Sequence, residues 1–265
     1  MKILTILGAR PQFIKAGSVS REIAKHNEIE EIIVHTGQHY DANMSDIFFD
    51  EMMIPKPNYF LGIGGKSHGA MTGQMIEKIE EILISERPNL VLLYGDTNST
   101  LAGALAAVKL NIPTAHVEAG LRTGDIYSPW PEEANRQITG VLANYHFAPT
   151  VTSEQNLLKE SKDSKNILVT GNTVIDALFL ALDKIKNNKD LENQIIKQLS
   201  SLNYNIKDDK KIILVTGHRR ENHGQGFINI CTALKKIAIK NPIMDIVYPV
   251  HLNPNVQKPV KELLS

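Results

Sequence analysis

Two hydrophobic rhythms alternate along the chain. Short apolar, β-branched runs occupy Lys2–Leu7, Glu31–His35, Leu90–Tyr94, Thr114–Val117, Tyr145–Ala148, Ile167–Thr170, Lys211–Thr216 and Asp245–Val250. Runs of this length and composition predict strands. Between them, apolar residues recur three and four apart, which predicts helices over Pro11–His26, His68–Glu86, Ser99–Leu110, Pro131–Leu142, Thr152–Glu160, Val174–Ile185 and Gln225–Ile239. Strand–helix–strand alternation predicts the α/β class, with parallel sheets covered by helices on both faces. Strands such as Ile212-Ile213-Leu214-Val215 have no polar alternation, so burial on both faces is expected.

The rhythm falters between Lys184 and Lys210, where Lys, Asn and Asp dominate around a short helical patch at Leu191–Leu199. The division expected is a first α/β domain over 1–180, a linker over 181–210 and a second, partial domain over 211–265. After Asn205 only two strands, Lys211–Thr216 and Asp245–Val250, are predicted, with a helix after Pro254, so this second part reads as incomplete. Two strands rarely hold a sheet alone, and they leave edges unpaired.

Bulk properties narrow the ligand. Lys plus Arg equals Asp plus Glu, at 29 each among 265 residues. A general nucleic-acid or membrane-surface binder would carry a basic excess, so neither partner is expected. An anionic ligand must then be held by local cations. Cys231 is the single cysteine, inside a helical pattern, and reads as a small core residue. No internal disulfide is possible, no run approaches the ~20 apolar residues of a membrane span, and no leader pattern opens the chain. These features give the expectation of a soluble cytoplasmic protein.

Candidate chemistry sits at the ends of the predicted strands. Four stretches stand there: Gly8-Ala9-Arg10-Pro11, Gly95-Asp96-Thr97, His116-Val117-Glu118-Ala119-Gly120-Leu121-Arg122 and Thr216-Gly217-His218-Arg219-Arg220-Glu221. In open α/β sheets, ligands bind in the crevice beyond these ends. Arg10 and Lys15 are placed to meet a phosphate at the start of a helix whose free N–H groups favour anions. An ordinary turn with two solvated cations reads those residues equally well. Asn98 or Ser99 is expected to cap the following helix, leaving Asp96 for the crevice. Glu118 closes a buried strand and needs a partner, for which Arg122 is the candidate, with a purely structural ion pair as the plain alternative. Glu132 and Glu133 suit the first turn of the helix opened by Pro131, where they complement its dipole. His218 follows Thr-Gly beside two Arg residues and can serve as acid or base. His251 is a weaker candidate of the same kind, and the segment from His35 to Tyr40 lies at another strand end. With one cysteine and no zinc-type cluster of Cys and His, no catalytic metal is expected.

Taken together, Gly8-Ala9-Arg10-Pro11, Gly95-Asp96-Thr97, His116–Arg122, Pro131-Glu132-Glu133-Ala134-Asn135-Arg136 and Thr216–Glu221 resemble the motifs of the non-hydrolysing UDP-N-acetylglucosamine 2-epimerases. The resemblance implies two Rossmann-like domains of the glycosyltransferase B type with the active site between them, a homodimer, a UDP-sugar substrate and no redox cofactor. It implies acid–base roles for Asp96, Glu118, Glu132 and His218. It implies substrate contacts for Arg10, Lys15, His39, Arg122, Arg136 and Arg219. Two departures stand out. The family's Asp-Ser-Gly-Gly-x-x-Glu-Glu segment, which helps hold UDP, is absent. The stretch from His35 to Ser45 is closer to epimerases acting on UDP-2,3-diacetamido-glucuronic acid, whereas Tyr127–Glu133 is closer to the simple N-acetylglucosamine branch. A glycosyltransferase of the same fold and a non-catalytic binding or dimerising module are the other readings.

Overall fold

The computed structural model describes residues 1–38, 49, 54–202, 204–206, 210–217, 222, 224–251 and 253–264. The chain divides into two compact units, Met1–Asn188 and Lys189–Ser265.

The first unit is a seven-stranded sheet. Its strands are β1 (Lys2–Leu7), β2 (Glu30–His35), β3 (Tyr59–Phe60), β4 (Leu90–Tyr94), β5 (Thr114–Val117), β6 (Tyr145–Ala148) and β7 (Ile167–Val169). They lie in the order β3-β2-β1-β4-β5-β6-β7, every pair parallel. The helices are α1 (Arg10–Ile23), α2 (His68–Glu86), α3 (Asn98–Lys109), α4 (Glu132–Leu142), α5 (Val151–Lys159) and α6 (Thr173–Lys186).

Alternation along each strand builds two cores. Leu4, Ile6, Ile32, Val34, Val91 and Leu93 point to one face, where they meet Met75, Ile79 and Leu83 of α2 and the small residues Ala102, Ala106 and Ala107 of α3. Ile3, Leu7, Ile33, Leu92 and Tyr94 point to the other, against Phe13, Ala16 and Ile23 of α1. Burial on both faces explains the near-continuous apolar strands. Strand order reverses between β1 and β4, because β1 continues to β2 on one side while β4 starts the run on the other. Doubly wound sheets bind ligands outside the strand ends at this switch point.

Differences from the sequence reading are local. The two-residue strand β3 was not anticipated, since two residues carry no period. The stretch read as linker holds the end of α6 and all of α7 (Lys189–Ser201). Helix α6 packs along α1 within the first unit.

The second unit contains β8 (Lys211–Leu214) and β9 (Met244–Val247), paired in parallel, with α8 (Gln225–Lys240) and α9 (Pro254–Leu264). Phe227, Cys231 and Val256 form its small core, so Cys231 packs as expected. Burial of β8 on both faces is not found: Ile212 is 45% and Leu214 65% exposed. With α7 the described residues of this unit make two strands and three helices, and β8 stays largely exposed.

Candidate active site

The floor of the site is the β1/β4 switch point. Gly8 follows β1, and a Cβ there would sit 2.1 Å from both the Thr36 and Ser99 hydroxyl oxygens. Those hydroxyls bond each other at 2.8 Å, joining the end of β2 to the start of α3. Gln12 ties the same region together from within. Its Oε1 accepts from the Gly8 and Ala9 amides at 2.8 and 3.0 Å. Its Nε2 donates to the Tyr94 carbonyl and the Thr100 hydroxyl, both at 3.0 Å. The amides expected to face an anion at the start of α1 are therefore partly occupied by the chain's own Gln12. Arg10 is exposed at the first position of α1.

Helix α3 is capped otherwise than expected. Thr97, not Asn98 or Ser99, accepts from the Thr100 amide. Gln38 Oε1 takes the Ser99 amide at 3.1 Å and its hydroxyl at 2.8 Å. Asn98 is thereby left to bridge to another helix, and its Nδ2 donates to His68 Nδ1 at 2.9 Å. The His68 ring in turn packs against Trp130 in a T-shaped arrangement, with centroids 5.2 Å apart. The single tryptophan of the chain thus packs against the first residue of α2, although 54% of it remains exposed.

Asp96 stands beyond β4 and pairs with Arg136 of α4, Oδ2 to Nη2 at 2.7 Å. Asn135 Nδ2 donates to the Asp96 carbonyl at 2.9 Å and to Asn98 Oδ1 at 3.2 Å. Glu132 is partly buried at the start of α4. Its neighbour Glu133 is fully buried and does more than complement the helix dipole. It accepts from the Thr123 amide at 3.2 Å and from Gln137 at 2.9 Å, and lies 3.5 Å from Arg136 Nε. The spacing of Glu133 and Arg136, three apart on one helix face, was the available signal for this support.

Glu118 follows β5 in a left-handed conformation, φ 69°. Non-glycine residues hold such geometry only where their surroundings enforce it. Its partner is Lys15 of α1 rather than Arg122. Lys15 is nearly buried, so its ammonium needs a counter-charge at hand. Asn172, at the start of α6, approaches the other Glu118 oxygen at 3.4 Å. Arg122 instead grips Glu160 through Nε and Nη2 at 2.7 and 2.8 Å. Gly95 lies under the Lys15–Glu118 pair: its φ is 64°, and a Cβ would sit 3.1 Å from Lys15 Nζ and 3.3 Å from Glu118 Oε2.

Behind these groups lies His116, which sequence reasoning passed over as part of the motif. It is fully buried on β5, and its Nε2 bonds the Gly95 carbonyl at 2.7 Å. Burial lowers its pKa to about 4, only partly offset by that bond. His146, its register partner on β6, is likewise held at about 4, first by burial and then by Lys162 and Arg122.

Asp96, Glu118, Lys15 and Arg136 are thus gathered by neighbouring strands and two helices, with Arg10 and Glu132 on the same elements. His39, His218 and Arg219 lie outside the described residues. His251 accepts from the Asn253 amide at 3.1 Å. Among the described residues, no three His, Cys, Asp or Glu side chains cluster as a metal site. Two carboxylates and two cations in one crevice can move protons on a bound anion while offsetting its charge.

The family model for UDP-N-acetylglucosamine 2-epimerase matches residues 21–265. The Campylobacter jejuni UDP-N-acetylglucosamine 2-epimerase is 52% identical, over 99% of this chain and 68% of its own length. The Escherichia coli K12 enzyme of the same name is 48% identical, over 100% and 69%. The crystal structure of UDP-GlcNAc 2-epimerase from Neisseria meningitidis bound to UDP-GlcNAc superposes with a TM-score of 0.92 at 45% identity, over 100% of this chain and 70% of that one. The Methanocaldococcus jannaschii enzyme in complex with UDP-GlcNAc and UDP gives 0.80 at 39%, over 100% and 69%. The chain thus spans a little over two thirds of these relatives.

Proposed function

The chain belongs to the UDP-N-acetylglucosamine 2-epimerase family, and from that premise we propose that it interconverts UDP-N-acetylglucosamine and UDP-N-acetylmannosamine. Direct removal of the C2 proton is hard, because no carbonyl acidifies it. Elimination avoids the difficulty. A base takes the C2 proton, the C–H electron pair forms the C1–C2 double bond, and the C1–O bond breaks with its electrons leaving on UDP. Returning a proton to the opposite face of C2 and UDP to C1 completes the inversion.

The acid–base work falls to Asp96, Glu118, Glu132 and His218. Arg10, Lys15, His39, Arg122, Arg136 and Arg219 serve the sugar and the diphosphate. One observation carries this reading: Asp96 and Glu118 follow adjacent parallel strands on either side of the Gly95 turn, each matched with a cation from a helix. When an anionic substrate enters, Arg136 and Lys15 can turn part of their charge toward it, which stabilises charge developing on the leaving diphosphate.

The same reading carries a homodimer that works in the cytoplasm and feeds polysaccharide biosynthesis. A nucleotide-sugar substrate and a single, buried, free cysteine support the compartment. The simple N-acetyl sugar is favoured by Tyr127–Glu133. The competing diacetamido likeness spans His35 to Ser45, of which 39–45 lie outside the described residues.

Incubation of the protein with UDP-N-acetylglucosamine in D2O, followed by proton NMR, tests the proposal. Signals of the manno epimer should grow, with deuterium entering at C2. An unchanged substrate, or sugar appearing on an added acceptor without any epimer, would refute it.

A further inference from the structure

The register of β4 and β5 ends at Tyr94↔Val117. One residue on, the Gly95 amide still donates to the Val117 carbonyl at 3.0 Å. Glu118 then leaves the strand at φ 69°. The Gly95 carbonyl, beyond the last register pair, is met by the imidazole of His116 at 2.7 Å. A carbonyl only accepts, so Nε2 carries the hydrogen. Nδ1 is buried with no hydrogen-bond partner among the described residues.

That carbonyl belongs to the peptide unit leading into Asp96. Asp96 is held at three points in all: at the preceding carbonyl by His116, at its own carbonyl by Asn135, and at its carboxylate by Arg136. The same glycine carries the Lys15–Glu118 pair against it. Its orientation therefore bears on both carboxylates. A cationic donor at this place would add charge beside them. A neutral imidazole, kept neutral by its burial, gives a directed bond without that charge.

We infer that His116 is a positioning residue for the C2 proton transfer: its bond to the Gly95 carbonyl fixes the Gly95–Asp96 peptide and so aligns Asp96 against Glu118. The inference rests on the epimerase reading for its reaction, but its geometry stands apart from it.

His116→Phe keeps the ring and loses the donor, while His116→Gln keeps an N–H at about the Nε2 position. A misplacement near 1 Å can cost on the order of 10²-fold in rate, so H116F should lose about that much kcat with KM little changed. H116Q should recover most of the loss. In carbon and nitrogen NMR, H116F should move the Gly95 carbonyl and Asp96 amide signals, and H116Q should bring them back. In the unmutated protein, 15N-labelled His116 should show the Nε2–H tautomer, a readout that holds even if H116F fails to fold. Wild-type kcat in H116F, unmoved Gly95 and Asp96 signals, or an Nδ1–H tautomer would each overturn the inference. A protein that leaves UDP-N-acetylglucosamine untouched sinks the epimerase reading alone, and the NMR signals then decide whether His116 holds the peptide.

Discussion

At the scale of single residues, the site depends on side chains that are short as much as on those that react. Gly95 combines a left-handed φ with two charged groups that a Cβ there would crowd more closely than ordinary van der Waals contact. Gly95→Ala should therefore cost on the order of 1–3 kcal/mol from backbone strain alone, and it should push Lys15 and Glu118 apart. Urea denaturation should reveal the first effect, and a fall in kcat larger than the change in KM the second. Asp96 and Glu118 were legible in the sequence because a charged residue ending an apolar run has few bland explanations. Their partners were not. Lys15 meets Glu118, 103 positions later, through the packing of α1 on the sheet, and no local pattern encodes that distance. Glu133 was passed over because dipole complementation accounted for it fully until its burial was known.

At the scale of elements, period and turn chemistry carried the reading of the first unit. β1, β4, β5, β6 and α2 have the bounds that their hydrophobic patterns predict. What escaped were the hydrogen bonds that join elements, Gln12 above all. A glutamine early in a helix looks like ordinary helix surface, yet this one is wholly buried and uses both ends of its amide. Gln12→Ala would leave the Gly8 and Ala9 amides unpaired in the interior. Each buried unsatisfied group costs about 1–3 kcal/mol, so the two amides together imply a loss of roughly 2–6 kcal/mol. Gln12→Glu should be worse, since a carboxylate would face the Tyr94 carbonyl. Thermal unfolding of the two variants checks the order. Helix α4 shows the same lesson from its polar face: Asn135 and Arg136 are directed inward to Asp96 beyond β4, and Glu133 backs Arg136.

For the whole molecule, two consequences follow from where burial is deep and where it is thin. His116 and His146 sit at about 4, below the 6.5 of an exposed imidazole. A histidine whose folded pKa is depressed binds its proton more readily once unfolded. Stability from these residues is thus complete above about pH 6.5 and lost as pH falls toward about 4, by an amount on the order of 3 kcal/mol for each imidazole. The melting temperature should drop across that window, and His146→Phe should flatten the drop. The second consequence concerns the two units. β1 and β4 are sealed on both faces, whereas β8 is largely exposed. Hydrogen exchange should be far slower in β1 and β4 than in β8 and β9. Equal protection would mean that the second unit is better covered than its described residues indicate. The sequence reading saw two strands there but expected them buried, because an apolar run does not state what will cover it.

The central claim is that Asp96 and Glu118 act together on one substrate held by neighbouring cations. Deuterium incorporation at C2 of UDP-N-acetylglucosamine in D2O reports that step directly, alongside calorimetric binding of UDP. Asp96→Asn and Glu118→Gln should each abolish incorporation and release of the glycal while UDP still binds. Near-normal incorporation in either variant would contradict the claim.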